Sequence, residues 1–286
     1  MDEIVKYENS LNRIPLTGLT REDLDLFMYI CHRVRDNGDS LLRFTYYEIK
    51  KAIGREDFNN AYFDAEIQNM ANRLKRIEGS VKGEEFNLFS TFVFTAEPKE
   101  HIRFGKLDAC TMIVRVNEDY LFLFNELDAR FMAFELQEYV KLESKYSKNL
   151  YRLLKQWRTQ GKTSFYEADL IRALMDCPSG YKSNDFMQKI LEPASKELQE
   201  KGCFRDLKII CERDPSKRGR PVKGYSFTFK AEKKDAPTED TPAVEDKKPR
   251  QKKASAPDPK NRFNNFQQRD YDFAELERKL QQGSPD

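Results

Sequence analysis

Five basic side chains stand within the stretch RDPSKRGRPVKG (213–224): Arg213, Lys217, Arg218, Arg220 and Lys223. Cationic groups at this density suit a polyanion. An RGRP core in particular suits the minor groove of A·T-rich DNA, whose narrow walls concentrate negative potential. The flanks decide what carries the cluster. DLKIIC (206–211) and GYSFTF (224–229) are rich in β-branched and aromatic residues, so the basic stretch is expected at the tip of a hairpin, not in a free hook. Gly219 and Gly224 are expected to permit tight turns, and Pro221 is tolerable on an edge strand. The plainer alternative is a solvated turn.

Catalytic chemistry finds little footing. GKTS (161–164) resembles the end of a phosphate-binding loop, but the motif needs glycine at position 156, where Gln156 stands. Ser164 reads better as the N-cap of the next helix, with Glu167 as its capping partner. The two histidines, His32 and His101, are too far apart in sequence to suggest the metal pair that a tyrosine nucleophile would need. The five cysteines, Cys31, Cys110, Cys177, Cys203 and Cys211, include no CxxC pair. The expectation is a protein with no catalytic residues, no metal and no cofactor, and so not an enzyme. No apolar run approaches the ~18–20 residues of a membrane span. The polar start MDEIVKYENS is unlike a signal peptide, which points to the cytoplasm and to no membrane partner.

Helices must position the hairpin. In the segment that starts near Ser183, Phe186, Ile190, Ala194 and Leu198 fall on one side. Asp185, Gln188, Lys189, Glu192 and Lys196 fall opposite, with Lys182 and Asn184 at the N-terminal end. Lys182, Asn184, Gln188, Lys189 and Lys196 are types that reach base edges or phosphates, as a recognition helix in the major groove requires. Pro193 removes one helical bond and predicts a kink. A merely solvated polar face is the competing reading.

This order of elements occurs twice. The first half opens with a capping box at Thr20 and Asp23, then a second at Thr45 and Glu48, then a helix over about 60–77 with Phe63, Ile67, Met70, Leu74 and Ile77 on one side. Strand-like FNLFSTFVF (86–94), TMIVRV (111–116) and YLFLF (120–124) follow. TYYEIKKAI aligns with SFYEADLIRAL at an offset of 119 residues. Each copy reads as a winged helix, the two joined by a long helix over about 129–157. On the first copy Gln68, Asn72, Lys75 and Arg76 are expected to be exposed, with Asn72, Lys75 and Arg76 as auxiliary, mainly phosphate, contacts. The β-rich region 86–124 is an alternative surface for pairing subunits.

Charge separates the parts. Residues 1–140 carry 18 Lys+Arg against 25 Asp+Glu, residues 141–230 carry 20 against 11, and the remainder is balanced. The reading is therefore α+β: a first winged-helix domain (1–128), a second one that is the main DNA reader (129–230), and a disordered tail (231–286). Within the tail, Phe263, Phe266, Tyr271, Phe273, Leu276 and Leu280 form either an unstructured end or a peptide that docks on a partner.

EIVKYENSLNRIPL with LTREDLDLFMYIC, SKYSKNLYRLLKQW, FMQKILEPASKEL and KRGRPVKGYSFTF together resemble the iteron-binding initiator Rep proteins of theta-replicating plasmids, over about residues 3–230. The resemblance implies two winged helices and binding of monomers to direct repeats in an origin. It also implies opening of an A·T-rich segment and recruitment of host initiator and helicase machinery. Dimers, paired through the first domain, would repress their own promoter at an inverted repeat. It places DNA contact on the helix 183–196 and the wing 217–223. The alternative function is a dimeric winged-helix transcription regulator without an origin role; a nicking initiator is a distant third.

Overall fold

The computed structural model describes residues 3–35, 37–56, 60–81, 84–94, 110–125 and 131–232. Of the expected disordered tail (231–286) only Ala231 and Glu232 are among them, and Glu232 is held by Lys155; the rest of the tail, its six docking residues and His101 lie outside.

In the first half, strand β1 (Ile4–Glu8) leads through a 3-10 turn (Asn9–Arg13) to helix α1 (Arg21–Val34). The Thr20 side chain caps α1 by accepting from the Asp23 N–H, while Asp23 accepts from the Thr20 N–H. Strand β2 (Leu42–Thr45) runs straight into α2 (Tyr46–Ala52), capped in the same way by Thr45 and Glu48. Helix α3 (Asn60–Leu74), the hairpin β3 (Glu78–Val81) and β4 (Glu84–Asn87), and the strands β5 (Phe89–Phe94) and β6 (Cys110–Val116) complete it. The sheet order is β2-β6-β5, antiparallel throughout. Its core gathers Leu24, Phe27 and Met28 of α1, Ile49 of α2, Ile67, Met70 and Leu74 of α3, and Phe44, Met112 and Val114 of the sheet, all fully buried.

The second half repeats that order. Helix α5 (Lys145–Lys155) precedes β8 (Tyr166–Glu167), α6 (Ala168–Leu174), and a helical stretch of α7 (Ser183–Phe186), a π turn (Met187–Leu191) and α8 (Glu192–Glu200). Strands β9 (Lys208–Arg213) and β10 (Val222–Thr228) follow, in the sheet order β8-β10-β9. Each sheet therefore places the strand before its second helix against the last wing strand. This is the winged-helix arrangement, twice.

Three expectations fail. The helix foreseen over 129–157 is instead strand β7 (Phe131–Glu135), paired antiparallel with β1, then α4 (Leu136–Val140), then a break before α5. The alternating burial of β7 explains this: Met132 and Phe134 point inward between exposed Phe131 and Glu135, a period of two. YLFLF lies in and just after a 3-10 segment (Glu118–Leu123, with Phe124 at its C-cap), which the Asn117 side chain starts by accepting from the Asp119 N–H. Ser164 does not cap α6. The N-cap is Glu167, without a side-chain hydrogen bond, because Tyr166 and Glu167 are committed to pairing with Tyr225 and Gly224.

The two halves meet in a polar junction. Lys148 of α5 is fully buried and donates to Asp25 of α1 at 2.6 Å and to the Tyr139 carbonyl at 2.7 Å. Asn12 donates to the Arg152 carbonyl at 3.1 Å and to Gln156 Oε1 at 2.9 Å. Asp176, at the end of α6, accepts from the Gly18 N–H and from Lys145.

Candidate nucleic-acid interface

The stretch 183–200 buries Phe186, Ile190, Ala194 and Leu198 as expected. Their strict four-residue spacing drifts about 40° per step on a 3.6-residue helix, or about 120° from first to last. Under-winding removes most of that drift: the Glu192 N–H bonds the Met187 carbonyl, five residues back, which marks the π turn. Pro193 supplies the cause. It has no N–H for the Lys189 carbonyl, and its ring crowds the preceding turn. The kink expected at Pro193 therefore takes the form of a widened turn just before it.

Lys182, Asn184, Gln188, Glu192 and Lys196 are all exposed on this stretch. Lys189 is exposed too, but its ammonium sits 2.7 Å from Asp185 and 5.0 Å from the Tyr181 ring centroid. Asp185 raises the Lys189 pKa above its ordinary value, and Lys189 with the Lys182 N–H lowers that of Asp185. Arg172 of α6 stacks over Phe186 at 5.4 Å and donates to the Tyr181 carbonyl, tying down the turn before the helix. Sequence reading overlooked Arg172, which sits in an unremarkable helical pattern.

Helix and wing form one unit. Phe186 meets Tyr225 of β10 edge-on at 5.6 Å. The basic stretch is the hairpin tip between β9 and β10, and Arg213, Lys217, Arg218, Arg220 and Lys223 are all exposed there. Lys223 is the extra residue of a β-bulge, since Val222 pairs with Arg213 and Gly224 with Glu212. A bulge re-aims a side chain, and the Lys223 ammonium lies 5.8 Å from the Phe165 ring centroid. Asp214 organises the tip: its carboxylate accepts from the Ser216 N–H and hydroxyl, which lower its pKa, and its own N–H bonds the Pro221 carbonyl at 2.9 Å. DPS is an Asx-turn signal that was legible in the sequence.

The two wing glycines differ. Gly219 has φ +83° and serves the turn as expected. Gly224 does not turn the chain. A Cβ there would stand 2.1 Å from the Tyr166 carbonyl oxygen, so close strand approach is what requires glycine.

In the first half Gln68, Asn72, Lys75 and Arg76 are exposed at the end of α3 and just beyond it. Arg73 beside them is committed, bonding Asp23 at 2.6 and 3.0 Å and Glu66 at 3.0 Å. The GKTS segment is structural. Gly161 packs against the Phe229 carbonyl, and the Thr163 hydroxyl accepts from the Phe227 N–H at 3.0 Å. His32 Nδ1 donates to the Ile4 carbonyl at 2.7 Å and so pins β1. Among the described residues no group of three or more His, Cys, Asp or Glu is placed to hold a metal ion, and no helix is long and apolar enough to cross a membrane.

Two family models match the chain: "Initiator Replication protein, WH1" over residues 4–155, and "Initiator Rep protein, WH2" over residues 167–229. The chain belongs to this family of initiator replication proteins. A curated relative, the "Probable replication protein rep" of Bifidobacterium longum (strain NCC 2705), is 32% identical over 254 residues, covering 87% of this chain and 77% of that protein. Among solved structures the initiator is similar to the Pi initiator protein, crystallised in complex with iteron DNA. The TM-score is 0.57 at 15% identity, over 82% of this chain and 99% of that one. At that identity the likeness speaks for the fold, two winged helices in tandem.

Proposed function

We propose that this protein initiates plasmid replication by binding repeated origin sequences, iterons, as double-stranded DNA. The observation that carries the reading is the exposed basic wing fixed beside the polar face of 183–200, on the second winged helix of a family of initiators. Gln188 and Lys189 read base edges in the major groove, with Lys182, Asn184 and Lys196 alongside. The wing cations take phosphates or the minor groove, and Asn72, Lys75 and Arg76 of the first half add phosphate contacts. The solved complex of the Pi initiator with iteron DNA supports this choice of ligand.

The finer reading gives the halves different tasks. The first half pairs subunits, and dimers repress the protein's own promoter; the second half is the main reader. The tail peptide around Phe273 recruits host replication machinery once the origin opens. None of this calls for catalysis. The test is a footprint on the DNA flanking the protein's own gene. Protection of several direct repeats is expected; a single protected palindrome would leave only a transcription regulator. Removing residues after Glu232 should leave that footprint intact and impair plasmid maintenance. The cut spares Glu232, which pairs with Lys155 at 3.1 Å.

A further inference from the structure

We infer that Arg220 is the one wing residue that reads A·T base pairs through the minor groove, and that Arg213 positions it. The inference rests on the DNA reading above and divides the five wing cations by what each is free to do.

Arg220 has φ +44°, in the left-handed region that disfavours an L side chain. The other non-glycine residues in that region, among those described, are Asp176 and Asp206. Aspartate tolerates it because a short polar side chain bonds locally; arginine has no such relief. The backbone around Arg220 is held from several sides. Its N–H bonds the Lys217 carbonyl at 3.0 Å, the Asp214 N–H holds the next carbonyl, that of Pro221, and Arg213 Nη1 donates to the Arg220 carbonyl at 3.3 Å. A strained residue kept by surrounding bonds points to a task for its side chain.

The neighbours are partly spoken for. Arg213 is turned onto the wing itself, Lys217 lies 3.8 Å from Asp214, and Lys223 stands over Phe165. Arg218 and Arg220 flank Gly219, where a Cβ would meet nothing within 4 Å. A groove wall can approach there. The minor groove, about 6 Å wide, admits an extended arginine but no helix, and the guanine N2 amino group obstructs it in G·C pairs. Arg218, nearer the apex, takes a phosphate; Arg220, with its backbone fixed, enters the groove.

The test uses the full chain and duplexes carrying a footprinted repeat, with the tract under the wing made of A·T, G·C or inosine·C pairs. Inosine·C presents a major groove like that of G·C and a minor groove without the amino group. Wild type should bind the A·T and inosine·C duplexes alike and the G·C duplex about tenfold more weakly. Arg220→Lys and Arg220→Ala should reduce this discrimination to less than about twofold. Arg220→Gly should do the same while melting no lower than wild type. Arg213→Met should weaken discrimination without changing the salt dependence, whereas Arg218→Ala should lower the salt slope by about 1 and keep discrimination. If Arg220→Ala weakens all three duplexes equally, or inosine·C behaves as G·C does, Arg220 does not read the minor groove. A salt slope that falls in Arg213→Met would make Arg213 a phosphate contact instead. Failure to bind any repeat would sink the origin-binding reading itself.

Discussion

The two winged helices share a skeleton and differ at its surface. Thr45 and Glu167 occupy the same N-cap position, Ile49 and Ile171 are the same fully buried residue of the second helix, and Gly54 and Asp176 are the same left-handed residue after it, at φ +66° and +51°. The structural offset is thus 122, not the 119 that matching the two sequence motifs suggests. The third helices diverge. In α3 the buried residues Ile67, Met70, Ala71 and Leu74 follow α-helical spacing. In 183–200 the four-residue spacing and Pro193 require a π turn. The first half is acidic and the second basic. Burial and backbone handedness fix the fold, while exposed charge is free to assign different tasks.

The largest effect should come from the junction that joins the copies. Lys148→Met would leave Asp25 buried without its counter-charge, at a cost of about 3–5 kcal/mol. Urea unfolding followed by Trp157, the single tryptophan, reports the second half, and far-UV circular dichroism reports both. If the halves act as one unit, both signals shift together. A Trp157 transition left in place would show that they fold independently. The pH dependence has a definite sign. Burial lifts the Asp25 carboxyl from 3.8 to about 7 even beside Lys148, and without the ammonium the lift is larger. A carboxyl with a folded pKa above its unfolded value loses stability as pH rises between the two. Wild type stops losing stability from this group once its carboxyl ionises near pH 7, whereas the variant goes on losing it. The Lys148→Met deficit should therefore grow as pH rises above 7 and be smallest below it.

Next come contrasts between the readers. Gln188→Ala should cost about 1–3 kcal/mol at particular base positions, and Lys189→Ala should act similarly, in competition binding against single-base variants of the repeat. A uniform loss over all variants would move them from base edges to phosphates. Replacing Arg218 and Arg220 together should lower the salt slope by roughly 1–2 units. The same measurement on Lys75→Ala with Arg76→Ala should show less than about 1 unit. Equal slopes would erase the asymmetry that the charge distribution suggests.

Much of this architecture is legible in the order of the residues. Capping boxes mark the first two helices of the first half, periodicity marks the third helix of each half, and the flanks of KRGRP disclose a hairpin. Pairing between distant segments is not legible. Strand β1 has no distinct signal of its own, and β7 is a strand because its partner lies well over a hundred residues away. Burial of Lys148 runs against its charge; beside the Tyr139 and Val140 carbonyls nearby in the chain, it takes Asp25, more than a hundred residues away, to make it tolerable. At the site, residue types point to the exposed cations, but Arg172 and the buttressing of Arg220 by Arg213 depend on where the backbone goes.

The smallest effect tests the repeat itself. TYYE and SFYE look alike, yet only one is a capping box. Thr45 Oγ1 accepts from the Glu48 N–H at 3.3 Å, and Glu48 accepts from the Thr45 N–H at 2.8 Å. In the second copy a three-residue shift places Tyr166 and Glu167 in a strand and leaves Ser164 outside the helix. Thr45→Ala should then cost about 1 kcal/mol, as lost caps do, while Ser164→Ala should stay within about 0.5 kcal/mol. Both are measured by urea unfolding of the full chain. The Thr163 hydroxyl donates to the Ser164 carbonyl, a contact that alanine at 164 keeps. Equal losses would restore the 119-residue register and mean that Ser164 caps after all. A loss confined to Thr45→Ala would show that matching letters had concealed a change in how the chain enters its second helix.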